Sequence, residues 1–100
     1  MLYTVEEIKN KLHPIFEKSG VVRAILFGSY AKGEATEKSD IDIAALVDDE
    51  MSIISFCDIA DKVINELGKN VDFLYAGDII PGGKIDLELK KDGVLLYAKS

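Results

Sequence analysis

The stretch from Leu26 to Val47, LFGSYAKGEATEKSDIDIAALV, decides how this chain is read. An apolar run enters Gly28 and Ser29, a short polar connection follows, and a second apolar run carries Asp40 and Asp42. Residues two apart on a strand project to the same face. Ile41 and Ile43 then point the other way, into a core, while the two carboxylates share one side. Two negative charges on a half-buried strand are costly unless a cation sits between them. A divalent metal is the natural candidate, and magnesium takes one or two carboxylates together with phosphate oxygens. Gly28 permits a sharp turn with close backbone approach. Ser29 adds a hydroxyl and a backbone N–H at the start of a helical turn, which suits a phosphate. Lys32 or Lys38 could add positive charge there. No Gly-Lys-Ser/Thr follows at Walker A spacing.

Working outward, Val21 to Phe27 is a β-branched strand that ends at Gly28, and Asp40 to Val47 is a second strand. Ser29 to Gly33 reads as a brief helical turn, and Glu34 to Ser39 as a polar loop. Upstream, Thr4 to Glu7 has capping-box spacing, and Val5, Ile8, Leu12, Ile15 and Phe16 fall on one helical face. Pro14 predicts a kink or break near His13, and Gly20 a stop. Downstream, Asp49 or Ser52 caps a helix with Ile53, Phe56, Ala60, Val63, Ile64 and Leu67 on its apolar face. Gly68 ends it, and Val71 to Tyr75 is a third strand. Pro81-Gly82-Gly83 breaks the chain. Lys84 to Lys91 is helical, and Asp92-Gly93 turns into a last strand, Val94 to Ala98. This order predicts an α+β fold with a small mixed sheet and helices packed mainly on one face. Residues 1–100 read as one domain.

Asp72 is the candidate third carboxylate. If its strand lies beside the second one, it points at the same ion. Two metals could then clamp the attacking oxygen and the α-phosphate, with pyrophosphate leaving. Tyr30 either packs on the turn or covers a base. Cys57 lies on the apolar side of its helix and reads as a core filler. His13, without a second His or Cys at zinc spacing, reads as structural.

The formal charge is −6, with 12 basic residues against 18 acidic. The basic residues are scattered, which argues against nonspecific nucleic-acid binding and is compatible with a basic protein partner. No apolar run approaches the length of a membrane span, and the N-terminal MLYTVEEIKNKL carries no signal-peptide pattern. A cytoplasmic location is the expectation.

Phe27-Gly28-Ser29 through Asp40-Ile41-Asp42 resembles the signature of the nucleotidyltransferase superfamily that includes DNA polymerase beta and kanamycin nucleotidyltransferase. The run GSYAKGEATEKSDIDIAAL and the short length resemble its minimal nucleotidyltransferase (MNT) branch, and within it the MntA-like antitoxins. The resemblance extends to the closing Asp-Gly-Val-Leu-Leu-Tyr strand. It implies the nucleotidyltransferase fold, magnesium (two ions) and ATP as substrate. It assigns metal binding to Asp40, Asp42 and Asp72, activation of the acceptor hydroxyl to Asp72, and phosphate contact to Gly28, Ser29 and Lys32. Lys32 stands where the family commonly has arginine, which keeps the charge and loses the bidentate fork. Tyr30 departs from a position that is frequently basic. Many members of this branch transfer AMP from ATP to a tyrosine of a HEPN-domain ribonuclease toxin and silence it. The resemblance thus implies a protein adenylyltransferase antitoxin with a HEPN toxin as partner; a homodimer or a hetero-oligomer is compatible with the sequence. Two other functions compete: a non-catalytic module that masks the toxin, and a small-molecule, aminoglycoside-type nucleotidyltransferase. Fewer than thirty residues follow Asp72, too few for a helical acceptor-binding domain, which favours an acceptor bound as a protein surface.

Overall fold

A computed structural model describes residues 2–100. The elements in chain order are α1 (Val5–Glu17), β1 (Val21–Phe27), α2 (Gly28–Lys32), β2 (Ile41–Val47), α3 (Ile53–Leu67), β3 (Val71–Tyr75), a 3-10 turn (Ala76–Asp78), α4 (Lys84–Asp92) and β4 (Val94–Ala98). The strands form one mixed sheet in the order β3-β2-β1-β4. β1 runs antiparallel to both β2 and β4, and β3 lies parallel to β2 at the edge. Helix α3 is the crossover that a parallel pair requires.

The helix starts are chemically specified. Thr4 accepts a hydrogen bond from the Glu7 backbone N–H while the Glu7 side chain accepts one from the Thr4 N–H. These satisfy donors that the first turn leaves orphaned. Ser52, not Asp49, caps α3 by accepting from the Ser55 N–H at 3.1 Å. Helices α1 and α3 lie against one another on one face of the sheet. Ile8, Leu12 and Phe16 meet Ile59, Val63 and Leu67 over Val21, Ala24, Leu26, Ile41, Ile43 and Leu96. The Tyr3 hydroxyl donates to the Leu67 carbonyl at 2.6 Å and ties the start of the chain to the end of α3. Helices α2 and α4 touch each other and β1.

Three expectations are corrected. Pro14 does not break its helix, which runs continuously from Val5 to Glu17. Pro14 is exposed, and the fully buried Leu12 and Phe16 on either side hold the helix to the core. Cys57 is exposed, not a core filler. At about 100° per residue it lies about 160° around the helix from Ile59. Ile53 is likewise exposed, because the packed stripe of α3 is set by Ile59, Val63 and Leu67. His13 makes two contacts near the surface: its Nδ1 lies 3.2 Å from Glu17 and its ring meets Tyr97 edge-on. Among the described residues, no helix is long and apolar enough to cross a membrane.

Candidate active site

Strand register assembles the site. In the antiparallel pair, Phe27 stands opposite Asp42, which puts the Asp42 side chain against the turn that begins at Gly28. In the parallel pair, Asp42 stands beside Asp72. Ile41 and Ile43 are fully buried beneath, so the intervening Asp42 is turned to the other face. Gly28 has φ +71° and opens α2 immediately after β1. A Cβ there would collide with the Asp42 carboxylate. Glycine is therefore required twice, by the left-handed backbone and by the close approach of a carboxylate.

Asp40 lies one residue before β2 and is exposed. The loop that leads into it is fixed from both sides. The Thr36 N–H donates to Ser39 Oγ at 2.9 Å, Lys69 Nζ donates to the Glu37 carbonyl at 3.0 Å, and the Ile41 N–H donates to the Asn70 carbonyl at 3.1 Å. The segment before β3 thus pins the approach to Asp40, as β3 itself brings Asp72 to Asp42.

The electrostatics follow from that crowding. The Asp42 carboxyl is pushed up from its ordinary 3.8 to about 6, first by burial, then by a hydrogen bond to and the charge of Asp72, then by the charges of Asp40 and Glu88. Every one of these influences disfavours the charged form. Such a half-buried group of hard oxygens fits a divalent cation by its donor chemistry. Asp42 and Asp72 form the contacting pair, with Asp40 acting on it at longer range. Among the described residues, no three Asp, Glu, His or Cys side chains already stand around a single point as a metal cage. The expected convergence of three carboxylates is not seen: Asp42 and Asp72 touch, and Asp40 acts on Asp42 through its charge.

Ser29 occupies the second position of α2, and its carbonyl accepts from the Gly33 and Glu34 N–H groups. Lys32, in the last turn of α2, reaches Glu88 of α4 with its Nζ 3.9 Å from the carboxylate. Lys38 sits in the exposed loop before Asp40. Tyr30 does not cover a base. Its ring is buried in the core cluster, with Lys69 Nζ 5.5 Å from the ring centre, and its hydroxyl is buried without a hydrogen-bond partner among the described residues. Glu88 escaped the sequence reading. It lies in a polar helix with no motif around it, and only the packing of α4 beside α2 brings it to the site.

Residues 10–100 match the family model described as Polymerase beta, Nucleotidyltransferase. The chain belongs to this nucleotidyltransferase family. Individual members sharpen the likeness. Protein MJ0435 of Methanocaldococcus jannaschii, provisionally named a protein adenylyltransferase, is 42% identical over 77 residues, spanning 77% of this chain and 83% of its own. The protein adenylyltransferase MntA of Thermococcus cleftensis is 32% identical over 85 residues, 81% of this chain and 86% of that one. Among solved structures, a toxin–antitoxin crystal structure with AMP-PNP superposes with a TM-score of 0.75 at 26% identity, covering 92% of this nucleotidyltransferase and 74% of the other chain. The α+β architecture is that of the family.

Proposed function

We propose that this nucleotidyltransferase is a protein adenylyltransferase antitoxin that moves AMP from ATP to a tyrosine hydroxyl of a HEPN-type toxin. The observation that carries the reading is the contact of Asp42 with Asp72, placed by strand register against the Gly28 turn. A toxin–antitoxin structure that holds an ATP analogue and an MntA protein adenylyltransferase among the relatives support the choice of ATP and of a protein acceptor.

Asp40, Asp42 and Asp72 would hold magnesium, which supplies charge neutralisation of the triphosphate and Lewis-acid polarisation of its phosphorus when bound. The Gly28 turn and the Ser29 hydroxyl orient the phosphates, and Lys32 adds positive charge beside them. Asp72 is at the exposed edge strand, where it can receive the proton of an incoming tyrosine hydroxyl. The tyrosine oxygen forms a bond to the α-phosphorus, the bond from that phosphorus to the bridging oxygen breaks, and pyrophosphate carries away the electron pair. The acceptor proton goes to the Asp72 carboxylate.

Labelled ATP, magnesium and the purified toxin test this directly. The expected result is label on a toxin tyrosine with the wild-type chain and none with Asp42→Asn, while both still bind the toxin. Toxin neutralisation by Asp42→Asn equal to wild type would point instead to masking.

A further inference from the structure

A groove of about 830 Å³ opens where β2 and β3 end, between the start of α3, the Ile80 segment and the start of α4. Its base is aromatic. Phe56 and Phe73 lie 5.1 Å apart, and Phe56 meets Tyr75 edge-on at 6.0 Å. Phe73 in turn stacks on Phe16 of the core at 6.3 Å, so the groove is anchored in the rigid part of the molecule. Its lips are apolar and open to water: Ile53 is 83% exposed, Ile80 75% and Tyr75 41%. The groove is also lined by Asp48, Asp49 and Asp78 against a single lysine, Lys84.

Burying several large apolar side chains at the surface of a chain this small is favourable, and leaving them exposed is not. An aromatic base with isoleucine lips and a charged rim is the anatomy of a protein-docking site, with a desolvated centre inside a polar ring. Charge decides the occupant. A second copy of this chain would bring another −6 and a second acidic rim to the same face. A partner with lysines or arginines flanking apolar side chains would complement it. We propose that this groove is the docking surface for a basic, apolar segment of a protein partner. At about 3.3 Å per residue along β3, the backbone at Tyr75 lies about 10 Å from that at Asp72, with the two side chains on opposite faces of the strand. Under the function proposed above, on which this last link rests, docking there holds the partner beside the edge strand that carries Asp72.

The test is an NMR titration of the isotope-labelled protein with two synthetic 14-residue amphipathic peptides, one of leucine and lysine, the other of leucine and glutamate. The lysine peptide is expected to shift the amides of Ile53, Phe56, Tyr75 and Ile80, and the glutamate peptide to leave them in place. Ile53→Ser with Ile80→Ser, both at exposed positions, is expected to weaken the lysine peptide about tenfold. Equal shifts from both peptides, shifts confined to Asp40, Asp42 and Asp72, or shifts at the groove from raised protein concentration alone would overturn the proposal. A parallel transfer assay separates it from the proposed function. Active transfer to the toxin with an unchanged KM for toxin in the Ile53→Ser, Ile80→Ser variant would refute the groove and leave the function standing. Absence of transfer, with the lysine peptide still mapping to the groove, would refute the function and leave the docking surface standing.

Discussion

Asp42→Asn is expected to stabilise the metal-free protein at neutral pH while it abolishes transfer. Asp42 is raised from 3.8 to about 6 by burial and by Asp72, Asp40 and Glu88. A shift of that size corresponds to a ceiling of ~3 kcal/mol if converted in full. Asp42 is only half-buried, so solvent screening reduces the expected gain to ~1 kcal/mol. The sign follows from the direction of the shift. A carboxyl whose folded value is raised contributes its stability fully below about 3.8, its unfolded value, and loses it as pH climbs through about 6. Wild type should therefore fall behind the asparagine variant between about pH 4 and pH 7, and the two should converge at pH 4 and below. For a chain of this size, ~1 kcal/mol is a Tm difference of roughly 4–8 °C. Thermal melts in EDTA across pH 4 to about 8 measure it. Added magnesium should raise the Tm of wild type and leave the variant unmoved. A variant that melts below wild type at neutral pH, or a gap of the same size at pH 4, would refute the idea that these carboxylates repel one another in the absence of a cation.

Three further outcomes are expected. Gly28→Ala forces a side chain onto a left-handed backbone and into the Asp42 carboxylate, so transfer should fall at least ~100-fold and stability by ~1–3 kcal/mol, read by radiolabel incorporation and urea titration. Tyr30→Phe removes a buried hydroxyl that has no hydrogen-bond partner among the described residues. Its urea midpoint should hold or rise, by up to ~1 kcal/mol, and a clear loss would show that the hydroxyl is satisfied in solution. Cys57, exposed on α3, should react with a thiol reagent in the folded protein at a rate near that of the urea-unfolded chain.

Much of the fold was legible because local chemistry and hydrophobic period agree. Thr4 and Ser52 mark helix starts through their side-chain oxygens, and Val21–Phe27 and Ile41–Val47 are rich enough in apolar residues to read as strands. The phase of α3 was less legible. Ile53, Cys57 and Ile59 are all apolar, and only packing against α1 and the sheet selects Ile59 and leaves the other two in water. Pro14 misled for a related reason: it forfeits one backbone hydrogen bond to the Asn10 carbonyl, and the burial of Leu12 and Phe16 on either side holds the helix together regardless. Asp42 was visible as a candidate from the Asp-x-Asp spacing, whereas its pairing with Asp72 depends on a strand register that the structure supplies. Glu88 was not visible, since its place beside Asp42 and Lys32 depends on how α4 docks far along the chain. Tyr30 sits next to the Gly-Ser turn in sequence and yet turns into the core. The docking groove likewise exists only once α3, β3 and the Ile80 segment are brought together.

The central question is whether Asp40, Asp42 and Asp72 close around magnesium when nucleotide arrives. A crystal structure of the chain with magnesium and a non-hydrolysable ATP analogue measures this most directly. The prediction is a metal ion bridging these carboxylates at about 2.1 Å, with the triphosphate against Gly28 and Ser29. Nucleotide bound elsewhere, or a metal that leaves Asp42 and Asp72 uncoordinated, would contradict it.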